Sequence, residues 1–327
     1  MRRTLACTVI VFVLAGCGAA DVPGASGSGS VPATSATRGD GTTSTVAPGA
    51  PFDITTMSET LVDTARVTPA TDDTPELPSR TLETTIIHPT SAGPFPLIVF
   101  AHGLTGEPGR HTELSSAWAR AGYIVAMPAF PLTNDSVANA NGNVADVANQ
   151  PGDVSFVIDH VLAANTDPAS PLHGKVRTDR IGVAGHSLGG ATTYGVVQND
   201  CCRDDRIDAV IVMSGLRLVN PDGDHLTSMP PTMLLHGVAD PLLKVAMADE
   251  IFPLLGAPKW YVRLLVAGHA EAYENTPSPS DAVVTAATTD FWQAYLAPQA
   301  GPPDPAILDR LRRDATVDQI STVQSVP

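Results

Sequence analysis

The sequence predicts an α/β fold, a mostly parallel central sheet with helices on both faces. Three observations carry that expectation. From about residue 51 to 300, short apolar runs alternate with segments of helical period. The runs are continuous rather than alternating, as suits strands buried on both faces. One run, Ile181-Gly182-Val183-Ala184, leads straight into Gly185-His186-Ser187-Leu188-Gly189-Gly190. That Gly-x-Ser-x-Gly pattern marks a sharp turn from strand to helix with the serine exposed at its tip.

The elements follow in order. Thr81–Ile87 has strand composition, and Leu97–Phe100 is a pure apolar run after Pro96. Tyr123–Met127, Ile181–Ala184, Ala209–Met213, Met233–Leu235 and Tyr261–Val266 are the later strand candidates. Between them His111–Ala121, Gly152–Asn165, Leu188–Val197, Leu242–Phe252 and Asp281–Leu296 read as helices. In the second of these, Val154, Val157, Ile158, Val161 and Leu162 fall on one helical face. Strand–helix alternation implies parallel strands joined by crossovers. Ile307, Leu308 and Leu311 predict a short terminal helix folding back on the domain, then an extended segment near Thr322-Val323. No internal repeat and no second domain is visible.

The chain has 327 residues, 43% of them hydrophobic, which is enough for one large domain core. Acids outnumber bases 34 to 19, so nucleic acid is an unsuitable partner. Arg2 and Arg3 precede the apolar run Leu5–Ala15, which is too short to span a bilayer and reads as an export signal. It ends in Leu14-Ala15-Gly16-Cys17, which resembles the lipobox of bacterial lipoproteins. The expected organisation is a signal peptide over 1–16, a lipidated Cys17 with a flexible tether to residue 50, and a single domain over 51–327. The tether is Gly, Ala, Ser, Thr and Pro, with too little apolar surface to order itself. The expected location is the cell envelope, outside the cytoplasm, with the membrane as a partner through Cys17 and the protein a monomer.

A serine hydroxyl is a weak nucleophile. It needs a base to take its proton and a carboxylate to orient that base. Ser187 is the candidate nucleophile. Leu235-His236-Gly237-Val238-Ala239-Asp240-Pro241 puts Asp240 just after a strand, as orienter, although Asp-Pro is also a good helix start. Leu265-Val266-Ala267-Gly268-His269 puts His269 after the next strand, as general base and acid. His186 is inside the turn and is expected to pack. His88, His111, His160, His173 and His225 have no supporting context. The charge that develops on the substrate oxygen needs backbone N–H donors. Leu188, next after the serine, is one. The loop His102-Gly103-Leu104-Thr105-Gly106 supplies the other, from Leu104 or its neighbour Thr105, with Leu104 preferred.

Together these residues resemble the α/β-hydrolases, over roughly residues 80 to 296, and the order Ser, Asp, His is that superfamily's order. The His102–Gly106 loop, Asn149-Gln150-Pro151-Gly152-Asp153, the serine turn and His236–Pro241 are similar to a narrower branch. It holds dienelactone-hydrolase-like esterases, platelet-activating-factor acetylhydrolase-like proteins and cutinase-like polyester hydrolases. The resemblance implies hydrolysis of carboxylic esters (small acyl, lipid or polyester-like) through an acyl-enzyme, with no cofactor. Serine stands where dienelactone hydrolases proper carry cysteine. An amidase, peptidase or thioesterase would use the same triad, and a silent ligand-binding lipoprotein would keep the same fold.

Only Ser214–Pro231 separates two late strands, too little for a large helical cap, so an open site is expected. The loop 128–151 is the candidate cover, or a plain solvated connection. Cys201 and Cys202 are adjacent, either as a vicinal disulfide or as two buried thiols. No zinc-ligand spacing occurs, and Asp222-Gly223-Asp224 alone is too little for calcium, so no metal is expected.

Overall fold

The computed structural model describes residues 51–137, 140–218, 225–296 and 301–327. The expected signal peptide, Cys17, the expected tether and Asp222-Gly223-Asp224 lie outside the described residues.

Nine strands form one sheet: β1 (Ile54–Asp63), β2 (Arg80–Pro89), β3 (Phe95–Ala101), β4 (Ile124–Ala129), β5 (Val176–His186), β6 (Ala209–Met213), β7 (Thr232–Gly237), β8 (Lys259–Leu264) and β9 (Ser321–Val326). Their spatial order is β1-β2-β4-β3-β5-β6-β7-β8-β9. From β4 to β8 every neighbouring pair is parallel. β1, β2 and β9 pair antiparallel at the two edges. The helices are α1 (Thr112–Arg120), α2 (Gln150–Thr166), α3 (Leu188–Gln198), α4 (Ala246–Ile251), α5 (Asp281–Tyr295) and α6 (Pro305–Asp314).

Strand side chains alternate between faces, so each apolar run feeds two cores at once. In β3, Leu97 and Val99 join one core while Ile98 and Phe100 join the other. In β6, Val210 and Val212 face the first, and Ile211 and Met213 the second. The first core packs against α2 and α3 through Val154, Val157, Ile158, Tyr194 and Val197. The second packs against α1, α5 and α6 through Trp118, Phe291, Trp292 and Leu311. Trp118 and Trp292 meet edge to face at 5.8 Å, and the Trp118 indole N–H donates to Thr288 Oγ1 at 2.9 Å. This sandwich is the α/β-hydrolase arrangement that the sequence predicts.

Chain order places the site. From β3 the chain passes through α1 to β4 on one side, then through α2 back to β5 on the other. β3 and β5 therefore flank the point where the winding reverses, and a crevice opens beyond their carboxyl ends. The loop His102–Gly106 leaves one of these ends and Ser187 leaves the other.

Two expectations change. The helix expected over Leu242–Phe252 is only Ala246–Ile251, followed by a 3-10 turn at Phe252–Leu254. Residues 242–245 are held otherwise, for a reason given below. Cys201 and Cys202 form a vicinal disulfide, with Cys201 exposed and Cys202 half-buried, so the buried-thiol alternative does not hold. Between β6 and β7 the described residues contain a single 3-10 turn, Leu226–Ser228.

Candidate active site

Ser187 sits between β5 and α3 with φ 55° and ψ −117°, in the left-handed half of backbone space. Few non-glycine residues are held this way, and such strain persists only where surroundings enforce it. Here the enforcement is close packing. A Cβ on Gly185 would overlap the Gly189 carbonyl, and one on Gly189 would overlap the Ala101 carbonyl at the end of β3. Ser187 N–H donates to Met213 O at 3.0 Å, which ties the turn to β6.

Asp240 and His269 reach the same point from β7 and β8. The two segments run so close that a Cβ on Gly237 would overlap the carbonyls of Ala267 and Gly268. Val238 N–H donates to Leu264 O, and Ala239 N–H to Ala267 O. His269 Nδ1–H donates to Asp240 Oδ2 at 2.7 Å, and Ser187 Oγ–H donates to His269 Nε2 at 2.8 Å. A carboxylate only accepts, so it assigns the proton to Nδ1 and leaves the Nε2 lone pair facing the serine. The three side chains singled out from the sequence thus lie in one hydrogen-bonded row.

Asp240 orients His269 but caps no helix at Pro241, since α4 starts only at Ala246 after Val245. Oδ2 takes His269, while Oδ1 accepts the N–H groups of Leu242 and Leu243 at 2.8 and 2.9 Å. His236 Nε2–H donates to Leu243 O at 2.8 Å. These bonds hold residues 242–243 in a turn and delay α4. The Asp240 side chain is fully buried, so its charge depends on these donors.

Of the two oxyanion candidates in the first loop, Thr105 is committed elsewhere: its N–H donates to Thr133 O at 2.8 Å. Leu104 N–H finds no acceptor among the described residues. Leu188 is the first residue of α3, so its N–H has no partner inside the helix. Gly103 lies against the serine, and a Cβ there would stand 3.1 Å from Ser187 Cβ. The loop 128–151, the candidate cover, braces the first loop and α3. Thr133 holds Thr105, and the Gln150 amide donates to Thr133 Oγ1 at 2.8 Å and contacts Thr192 on α3. Sequence reasoning missed Thr133 because a backbone carbonyl leaves no side-chain signature.

A shell of buried histidines surrounds the row. His102 Nδ1–H donates to Gly103 O at 2.7 Å, and its Nε2 accepts from Phe130 N–H at 3.0 Å, which leaves no room for a second proton. Burial pushes His102 and His111 down to about 4 and His186 well below its ordinary value. His186 packs, as expected: its ring lies 5.0 Å from that of His269, and its Nε2–H donates to His269 O at 2.8 Å. A histidine depressed on folding contributes stability that is complete above its unfolded value and is lost as pH falls towards its folded one. The urea midpoint is therefore expected to fall between pH 6.5 and 4, with His102 alone responsible for about 3 kcal/mol. Asp290, pushed up to about 6 by burial, runs the other way and offsets part of the loss. A midpoint that is flat across this window would contradict the assignment of neutral, buried histidines.

A family model described as Chlorophyllase matches residues 52–234, more than half of the chain. The chain belongs to the chlorophyllase family. That family lies within the α/β-hydrolase superfamily, the one that the sequence motifs resemble, and has ester-hydrolysing members. The match in this chlorophyllase-family chain includes Ser187 and the His102–Gly106 loop and ends before Asp240 and His269. Those two are placed by the fold's geometry alone. No match was found among curated proteins.

Proposed function

We propose that this protein is a serine hydrolase of carboxylic esters. Ser187 attacks the acyl carbon while His269 Nε2 takes its proton. His269 then returns the proton to the leaving alcohol. Water deacylates the enzyme by the same route, with His269 again as base. Asp240 fixes the tautomer and stabilises the imidazolium, and the N–H groups of Leu104 and Leu188 receive the oxyanion. The observation that carries this reading is the continuous row from Ser187 Oγ through His269 to Asp240 Oδ2, at 2.8 and 2.7 Å.

The rim supports an apolar acyl or alcohol group. Val238, Leu242, Leu265 and Val266 are exposed on the loops that carry Asp240 and His269, Leu242 by 70%. Such a rim suits esters presented at a surface. The expected result with p-nitrophenyl butyrate is a burst of about one p-nitrophenol per chain before steady turnover, the signature of an acyl-enzyme. Absence of turnover on ester, thioester and amide panels alike would leave a ligand-binding protein instead.

The lipobox-like Leu14-Ala15-Gly16-Cys17 supports attachment of this domain to a membrane through lipidated Cys17, at the outer side of the export barrier. Mass spectrometry of the mature N-terminus is expected to find diacylated or triacylated Cys17. An unmodified mature end elsewhere would refute the anchor.

A further inference from the structure

We propose that His111, His186 and Glu274 form a zinc(II) site beside the serine row. Each offers one ligand atom, and these atoms lie within 4.8 Å of one another. The three come from distant parts of the chain: the 3-10 turn before α1, the strand end at the serine, and the loop after β8. No linear spacing announces them, which is why the sequence predicts no metal.

The hydrogen bonds that hold the two rings point to a metal. A zinc-binding histidine ordinarily donates its other N–H to a carbonyl or carboxylate, which fixes the ring and directs its lone pair. Both rings here are held that way. His111 Nδ1–H donates to Tyr273 O at 2.9 Å, and His186 Nε2–H donates to His269 O at 2.8 Å. Both residues are buried, at 0% and 3% exposure. The remaining nitrogens, His111 Nε2 and His186 Nδ1, have no hydrogen-bond partner among the described residues. Two buried lone pairs in one small cluster call for a shared electrophile. Glu274, half-buried, adds the negative charge that two neutral imidazoles lack.

Two imidazoles and one carboxylate suit zinc better than the hard cations calcium and magnesium, which take oxygen ligands. Tetrahedral ligands at about 2.0–2.1 Å from zinc stand about 3.4 Å apart, so the widest pair here closes by at most about 1.4 Å. Glu274, at the solvent edge, has the freedom to close it. A water would fill the fourth position.

The test uses the full chain, stripped with EDTA and dialysed against zinc chloride, with bound metal counted by mass spectrometry. The expected result is one zinc per chain at micromolar zinc and a rise in Tm, because the site exists only in the folded state. His111→Gln and Glu274→Gln are expected to weaken zinc binding at least tenfold. Glu274→Gln alters a half-exposed side chain, so its fold should survive even where that of the buried His111 variant does not. His269→Ala keeps the backbone carbonyl that His186 holds and is expected to retain the zinc. Failure to bind zinc, equal affinity in Glu274→Gln, or loss of zinc in His269→Ala would each overturn the proposal, the last by putting the metal on the serine row.

Discussion

Ser187→Ala is expected to lower kcat/KM for p-nitrophenyl butyrate by at least about a thousandfold, while the unfolding free energy from urea titration stays within about 0.5 kcal/mol of wild type. Both halves follow from local structure. The change removes Oγ, the atom that donates to His269 Nε2, and the pathway through an acyl-enzyme goes with it. It adds no backbone strain, because φ 55° is as costly for serine as for alanine, and the glycines at 185 and 189 still permit the turn. The N–H groups of Leu104 and Leu188 remain, so a small residual rate is expected. Retention of wild-type turnover would remove Ser187 from the mechanism.

Arg80→Leu is expected to destabilise the fold by about 3–5 kcal/mol, the usual result of removing one side of a buried ion cluster. Arg80 is fully buried. Its guanidinium forks onto Asp153 at 2.7 and 2.6 Å and onto Asp146 at 2.9 and 3.0 Å. Arg66 adds a contact to Asp153 at 2.9 Å. Without Arg80, Asp153 is left with the partly exposed Arg66, which Asp63 also holds, and Asp146 with the Asn149 amide. The effect should reach the active site as well. Asp146 holds the Asn149 amide at 2.8 Å, and the next residue, Gln150, braces Thr133, whose carbonyl holds the Thr105 N–H. An unfolding free energy lowered by less than about 1 kcal/mol would show that these charges are solvated rather than buried.

The parts legible in the sequence were those with a local cause. Strands β3 to β8 are apolar runs with turn residues at both ends. The serine turn carries its own glycines, and Asp240 and His269 each stand directly after a strand. β1 escaped notice because it is an edge strand with only Leu61 and Asp63 buried, so neither a continuous run nor a clean alternation marks it. The late start of α4, at Ala246 rather than Leu242, was not legible either, since it depends on where Asp240 Oδ1 points. The motif Asn149–Asp153 was visible, but its meaning was not. Gln150 and Asp153 are buried braces rather than reacting groups, and their partners Thr133, Thr192 and Arg80 come from distant segments. The pairing of His111 with His186 had the same obstacle, since the two stand 75 positions apart in the chain. Local pattern specifies elements and their ends. Contacts across the sheet's carboxyl edge decide what those ends do together.

The central claim is that Ser187 is a nucleophile activated by His269. Treatment with a fluorophosphonate followed by peptide mass mapping tests it most directly. One phosphonate per chain is expected, on Ser187, with labelling that slows at least about a hundredfold in His269→Ala because the base is gone. Label on another residue, or equal labelling rates with and without His269, would contradict it.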